Sequence, residues 1–150
     1  MSVEEPRPSR SGEATEFFWP VRIYWEDTDA GGIVFYANYL KFFERARTEW
    51  LRARGIHQQA LRETLRAQFV VSDLRVRFER AARLDDCLQV SVRLIEAGRA
   101  SLTLEQRALR QAAGGATALC SAATVRVGWV DAQTLKPLRL PTSLLETLRA

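Results

Sequence analysis

The feature that most constrains this chain is a change of period. From Tyr36 to Leu51 the apolar residues Tyr36, Tyr39, Leu40, Phe43, Ala46, Trp50 and Leu51 recur at three- and four-residue spacing, which is one face of an α-helix. Lys41, Glu44, Arg45, Arg47, Glu49 and Arg52 fill much of the remainder, and Gly55 follows as the expected stop. Beyond it the period falls to two. Leu74, Val76 and Phe78 alternate with Asp73, Arg75, Arg77 and Glu79; Leu88, Val90, Val92 and Leu94 share one face; Leu102 and Leu104 alternate with Ser101, Thr103 and Glu105. After the Gly114–Gly115 turn, "ATALCSAATVRVGWV" reads as a long strand of small residues. Ahead of the helix, "FFWPVRIYWED" reads as a first strand, with Val21, Ile23 and Trp25 alternating with Arg22 and Tyr24.

One long amphipathic helix followed by a run of hairpins is α+β. An antiparallel sheet of about five strands can wrap such a helix on one face and leave the other face wet. "IHQQALRETLRAQ" predicts a short second helix or an ordered loop. "PTSLLETLRA" predicts a terminal helix, with Ser143 and Glu146 spaced as a capping box. At 150 residues the chain is one domain by length. Pro, Ser, Gly and charge dominate residues 1–15, read as a flexible tail, so the domain is 16–150. The strand "SDLRVRFERA" is long and must pair with something. Pairing with its own copy across a two-fold axis predicts a homo-oligomer.

Composition narrows the function classes. With 47% hydrophobic and 27% charged residues the chain is ordinary for a globular protein. No apolar run approaches the ~20 residues of a spanning helix, so an integral membrane protein is not expected. The N-terminus lacks the apolar core of a secretory signal. Cys87 and Cys120 read as reduced thiols, so the expected location is cytoplasmic. The net charge of +4 is spread along the chain rather than gathered into a stripe, which argues against nucleic acid. It fits polyanionic small molecules or acidic proteins better. His57 is the only histidine, and no second His/Asp/Glu cluster shows ligand spacing, so no metal is expected.

Where the first strand meets the helix, the sequence is "WEDTDAGGIVFYANY". Glu26, Asp27 and Asp29 crowd against a glycine pair just before the helical pattern begins. "DTD" suits an Asx turn at a helix entry, and the aromatic stripe suits a core. The same arrangement also suits chemistry. A helix start offers unpaired N–H groups and the positive end of the macrodipole. A carboxylate facing them can attack or activate water while they hold a developing oxyanion, which implies acyl transfer or hydrolysis. There is no GxSxG and no Cys–His pair, so a nucleophile of the triad type is not expected. A site without an essential histidine suits a thioester, because a thiol with a pKa near 8.5 leaves unaided.

The stretch "VRIYWEDTDAGGIVFYANYLKFFERARTEWL" resembles the N-terminal signature of the hotdog-fold thioesterases. It is similar to the 4-hydroxybenzoyl-CoA thioesterase family, most closely to its YbgC-like, Tol–Pal-associated branch. The D-x-D-x-x-G-[IV]-V core, the following A-N-Y and the "FERARTEWL" helix carry the resemblance, dense from Val21 to Leu51 and collinear to about Pro141. It implies a sheet wrapped around one long central helix, in a homodimer or homotetramer. It also implies an acyl-CoA thioester hydrolase needing no cofactor, since coenzyme A belongs to the substrate. Asp29 falls on the catalytic carboxylate, as nucleophile or as general base. The backbone N–H of Tyr36 falls on the oxyanion donor, and Gly32, Ile33, Val34, Asn38 and Tyr39 fall on substrate-binding positions. An acyl carrier protein is a further candidate partner. Many YbgC-like members carry His where this chain has Tyr36, which leaves the acyl group open between short aliphatic and aromatic. The alternative is a hotdog module that binds acyl groups or protein partners without catalysis. A hydratase, which would want a histidine with a carboxylate, fits less well.

Overall fold

The computed structural model describes residues 15–112 and 114–150. The tail assigned to residues 1–15 lies outside them except for Thr15. In chain order the elements are β1 (Phe17–Arg22), a 3-10 turn (Trp25–Asp27), α1 (Asn38–Ala53), α2 (Gln58–Thr64), β2 (Ala67–Phe78), β3 (Cys87–Ala97), β4 (Ser101–Gln111), β5 (Thr117–Asp131) and α3 (Thr142–Arg149). The strands form one antiparallel sheet in the order β1-β3-β4-β5-β2. The expected α+β arrangement is present, with the long helix lying on the inner face of the sheet.

Most of the helical stripe meets the alternating faces of β3, β4 and β5. Tyr36 and Leu40 of the stripe and Leu74 and Phe78 of the β2 alternation are exposed, however, and Phe42, outside the predicted stripe, is fully buried. Phe42, Phe43, Ala46 and Trp50 of α1 are buried with Leu88, Val90 and Val92 of β3, Leu102 and Leu104 of β4, and Val125 and Trp129 of β5. Each large apolar side chain fully buried in this layer contributes ~1.5–3 kcal/mol. Gly55, at φ 74°, ends the helix one residue past its C-cap Arg54. Only a left-handed backbone turns the chain there, so glycine is the residue that fits.

Three local expectations are corrected. The regular α-helix starts at Asn38, because Phe35–Ala37 form a tighter turn through Asn38 N–H to the Phe35 carbonyl (2.8 Å). Trp25 does not continue the inward alternation of the first strand; the strand ends at Arg22 and Trp25 is 79% exposed on the 3-10 turn. The capping box at Ser143 and Glu146 does not form. The terminal helix begins at Thr142 behind extended Pro141, without a side-chain cap, so Ser143 lies inside the first turn.

β2 is an edge strand. It pairs only with β5, with an irregularity between Val71 and Asp73, and Val71 and Phe78 on it are half exposed. No helix among the described residues is long and apolar enough to cross a membrane.

Candidate active site

The acidic stretch folds into a small hairpin that feeds α1. Thr28 pairs with Val34 across it. Asp29 N–H donates to the Ile33 carbonyl (2.9 Å) and Gly32 N–H to the Asp29 carbonyl (3.0 Å). Gly32 makes this tip possible, since its φ of 78° is strained for any other residue. The hairpin is tied to the link between β2 and β3 by Val34 N–H to the Ala82 carbonyl (2.8 Å) and by the Ile33–Arg83 bridge.

Asp27 is the brace. Its side chain is buried and accepts the Tyr24 N–H (2.8 Å), while its carbonyl accepts both the Phe35 N–H and Asn38 Nδ2 (2.9 Å each). One residue thus locks the incoming chain to the first turn of the helix. Asp29 is exposed, and its Oδ1 accepts the Gly31 N–H (2.8 Å), an Asx turn. The turn reading of "DTD" holds, and the Asx turn fixes one carboxylate oxygen of an exposed side chain. No hydrogen bond joins Asp29 to the helix entrance; the hairpin backbone is what links them.

That entrance is open. Among the described residues the N–H groups of Tyr36 and Ala37 have no hydrogen-bond acceptor, and the N-cap position, Ala37, has no side chain able to supply one. Sixteen residues of helix stand behind them and add the positive end of the macrodipole. An exposed carboxylate on the hairpin tip and two unused donors just before the helix are therefore the free polar groups of this junction.

A protein-family model for the thioesterase-like superfamily matches residues 23–148, from the hairpin through the terminal helix. The chain belongs to the thioesterase-like superfamily. It is 46% identical over 125 residues to a Haemophilus influenzae protein named acyl-CoA thioesterase YbgC, covering 83% of this chain and 88% of that one. It is 43% identical over 131 residues to an Escherichia coli protein named acyl-CoA thioester hydrolase YbgC, covering 87% and 94%. Among solved structures, 4-hydroxybenzoyl-CoA thioesterase from Pseudomonas sp. strain CBS-3 superposes with a TM-score of 0.80 at 23% identity, covering 89% and 99%. The sheet-wrapped helix is the hotdog fold of these thioesterases.

In this superfamily member the motif residues separate into two groups. Gly32 and Ile33 lie at the surface of the hairpin. Val34, Asn38 and Tyr39 are only 4%, 9% and 3% exposed, so most of their surface packs within the hairpin, helix and sheet. Tyr39 shows how closed this layer is: burial first, then the Cys120 thiol nearby, pushes its phenol up to about 12. Two contributors escaped the sequence reading. Phe35 stacks against Tyr36 (4.8 Å between ring centres), and Phe78 at the end of β2 meets Tyr36 edge-on (6.0 Å). Phe78 was visible as the last member of the strand alternation; nothing in the pattern told that it would stop beside the helix entrance.

Proposed function

We propose that this chain hydrolyses acyl-CoA thioesters to a free acid and coenzyme A at the hairpin–helix junction. Asp29 attacks the thioester carbonyl directly or takes a proton from the water that does, and the N–H of Tyr36 holds the oxyanion. In the direct route the Asp29 oxygen displaces the CoA thiolate, and water then opens the mixed anhydride. In the other route the water oxygen bonds to the carbonyl carbon as its proton passes to Asp29, and the same thiolate leaves. Neither route needs a general acid, in keeping with a site that contains no histidine. The observation that carries the reading is the pair of N–H groups at Tyr36 and Ala37, just ahead of the helix, for which no acceptor is present among the described residues. Superfamily membership and the activities named for the two YbgC relatives support it.

We also infer that two copies pair through β2. That strand has an open edge twelve residues long, and exposed Phe35, Tyr36, Leu40, Val71, Leu74 and Phe78 lie along it and the adjoining helix. Burying such a stripe against a second copy removes an edge that otherwise invites aggregation. The two unpaired thiols agree with a reducing, cytoplasmic location.

The test is a panel of short aliphatic and aromatic acyl-CoA thioesters with thiol release followed by a chromogenic disulfide, run beside the matching acyl carrier protein thioesters. Turnover of at least one acyl-CoA is expected; turnover of none would leave an acyl-binding or interaction module. A single turnover in ¹⁸O-water then tests the direct route. An unlabelled acid with label in the Asp29 carboxylate marks direct attack with the anhydride opened at the Asp29 carbon, whereas a labelled acid with unlabelled Asp29 marks attack of water at the acyl carbon. Sedimentation of the purified protein checks the dimer.

A further inference from the structure

The second half of α1 carries a partly buried cation that the chemistry at the hairpin does not use. Arg47 is on the side of the helix that faces the sheet and is only half exposed. Its Nη1 donates to Oε1 of Gln106 (2.9 Å), a fully buried glutamine of β4 whose own Nε2 is committed to the Phe43 carbonyl (3.0 Å) and the Ser91 carbonyl (3.3 Å). A guanidinium has five donors, and among the described residues no carboxylate lies within ion-pair distance of this one. Burial lowers its pKa and Glu44 acts in the opposite sense. A cation placed against neutral partners in an apolar layer leaves an electrostatic demand that a bound anion would meet.

The space for one is adjacent. A cavity of about 220 Å³ lies between α1, β2, β4 and β5, with Arg47 on one wall and Trp50, Phe69, Leu102, Leu104 and Val127 on the others. Past Glu44, Thr48, Gln58 and Phe69, which it shares, it borders a wider depression of about 530 Å³ whose rim carries Arg52 and Arg62. The one carboxylate on the cavity wall, Glu44, accepts a hydrogen bond from Thr48 Oγ1 (2.9 Å). Arg47 stands eleven residues beyond Tyr36, roughly 16 Å along the helix at 1.5 Å per residue, so within one chain this cavity is separate from the helix entrance.

We propose that this cavity binds a small apolar carboxylic acid, its carboxylate on the remaining donors of Arg47 and its hydrocarbon body against Trp50, Phe69, Leu102 and Val127. An apolar chamber with one charged anchor is the usual build of a small-ligand site: area supplies affinity and the charge fixes orientation. The guanidinium fork matches a carboxylate in a way that a lysine does not, and the arginines at the rim attract anions toward the opening. The site is independent of Asp29, and its occupant has the chemistry of a thioesterase product.

Calorimetric titration of the full chain with hexanoate, and with neutral hexanamide of the same length, tests it. Hexanoate binds at one site per chain, and hexanamide binds at least about tenfold more weakly, the scale of a lost charge-assisted hydrogen bond. Arg47→Met weakens hexanoate by a similar factor, while Arg47→Lys, which keeps the charge, recovers part of it. Gln58→Trp fills the rim without touching the Arg47–Gln106 bond; it abolishes binding, and it decides the matter if Arg47→Met does not fold. Asp29→Asn leaves binding unchanged. No binding of hexanoate, equal binding of hexanamide, or indifference to Gln58→Trp would each overturn the proposal. So would loss of binding in Asp29→Asn, which would put the acid at the hairpin instead. None of these results depends on whether any thioester is turned over.

Discussion

Asp27 and Asp29 sit two residues apart in one hairpin with the same side chain, yet the fold uses them in opposite ways. Asp27, at the base, is 7% exposed and joins three partners: the Tyr24 N–H through its carboxylate, and Phe35 N–H and Asn38 Nδ2 through its carbonyl. Asp29, at the tip, is exposed and keeps one bond, to Gly31 N–H. The lesson is a division of labour. A carboxylate that must react needs an outward lone pair and a fixed bearing; the bearing comes from a neighbour that has given up its own solvent exposure. The base is built to be rigid, and the tip to be available.

The sharpest way to break this contrast is to neutralise each acid in turn. Asp29→Asn keeps an acceptor for the Gly31 N–H, so the thermal midpoint stays within the scatter of a surface change, about 0.5 kcal/mol. Its acyl-CoA hydrolysis is expected to fall by about 10²-fold or more, the contribution of a positioned base or nucleophile. Wild-type turnover in Asp29→Asn would end the assignment of the tip.

Closure of the base is read by pH. Tyr39 beneath the hairpin has its phenol raised to about 12, against an ordinary value near 10. Below pH 10 both folded and unfolded chains hold that proton, so Tyr39 makes no difference to stability. Between pH 10 and 12 the unfolded chain ionises first, so stability is lost as pH rises, by about 2–3 kcal/mol over the whole interval. Spectrophotometric titration checks it. Tyr39 should keep its proton well past pH 10 in the folded protein; ionisation of Tyr39 near pH 10 while the protein is folded would mean that the base is open.

Asp27→Ala removes the bond to Tyr24 N–H and leaves a part-buried donor unmet, which costs about 1–3 kcal/mol. For a domain of this size that lowers the thermal midpoint by about 2–4 °C per kcal/mol. Turnover measured on the folded fraction should fall less than in Asp29→Asn. The reverse order would mean that the two acids had been assigned the wrong way round.

Much of this division was legible in the sequence, for reasons that differ by residue. The helix and strands were readable by their periods, 3.6 and 2; one face of α1 packs on β3, β4 and β5, while β2 leaves Leu74 and Phe78 of its alternation exposed. Asp29 was readable as a candidate because three acids crowd a glycine pair at a helix entry, although one of them, Asp27, is buried as the brace. The burial of Val34, Asn38 and Tyr39 was not readable from the motif. Their spacing places them on or beside the helix start, but whether a side chain there faces a ligand or the core depends on how the 82–83 link crosses the hairpin, a contact across more than forty positions. Trp25 misled for a related reason. Alternation continues on paper past Arg22, while Asp27 pulls the backbone into a 3-10 turn and swings the indole outward. The Arg47–Gln106 contact was hidden because an arginine in a helix of many arginines has no mark of its own until β4 lies across it.

The smallest expected effect bears on the bearing of Asp29 itself. A Cβ added at Gly31 would stand 3.1 Å from Asp29 Oδ1, closer than that oxygen tolerates without moving a few tenths of an ångström. Gly31 does not need a left-handed backbone, unlike Gly32, so alanine is accommodated with a stability change of about 0.5 kcal/mol or less. The methyl group therefore tests geometry apart from folding: it nudges the carboxylate while leaving its charge and the base untouched. A several-fold fall in turnover with an unchanged thermal midpoint is expected. Unaltered turnover would mean that the Gly31 N–H does not aim the reacting oxygen and that the turn at the tip is ordinary helix-entry structure. If two copies pair through β2 as proposed, the second copy is then the next candidate for that bearing, and Val71→Glu at the shared edge should cost more activity than Gly31→Ala.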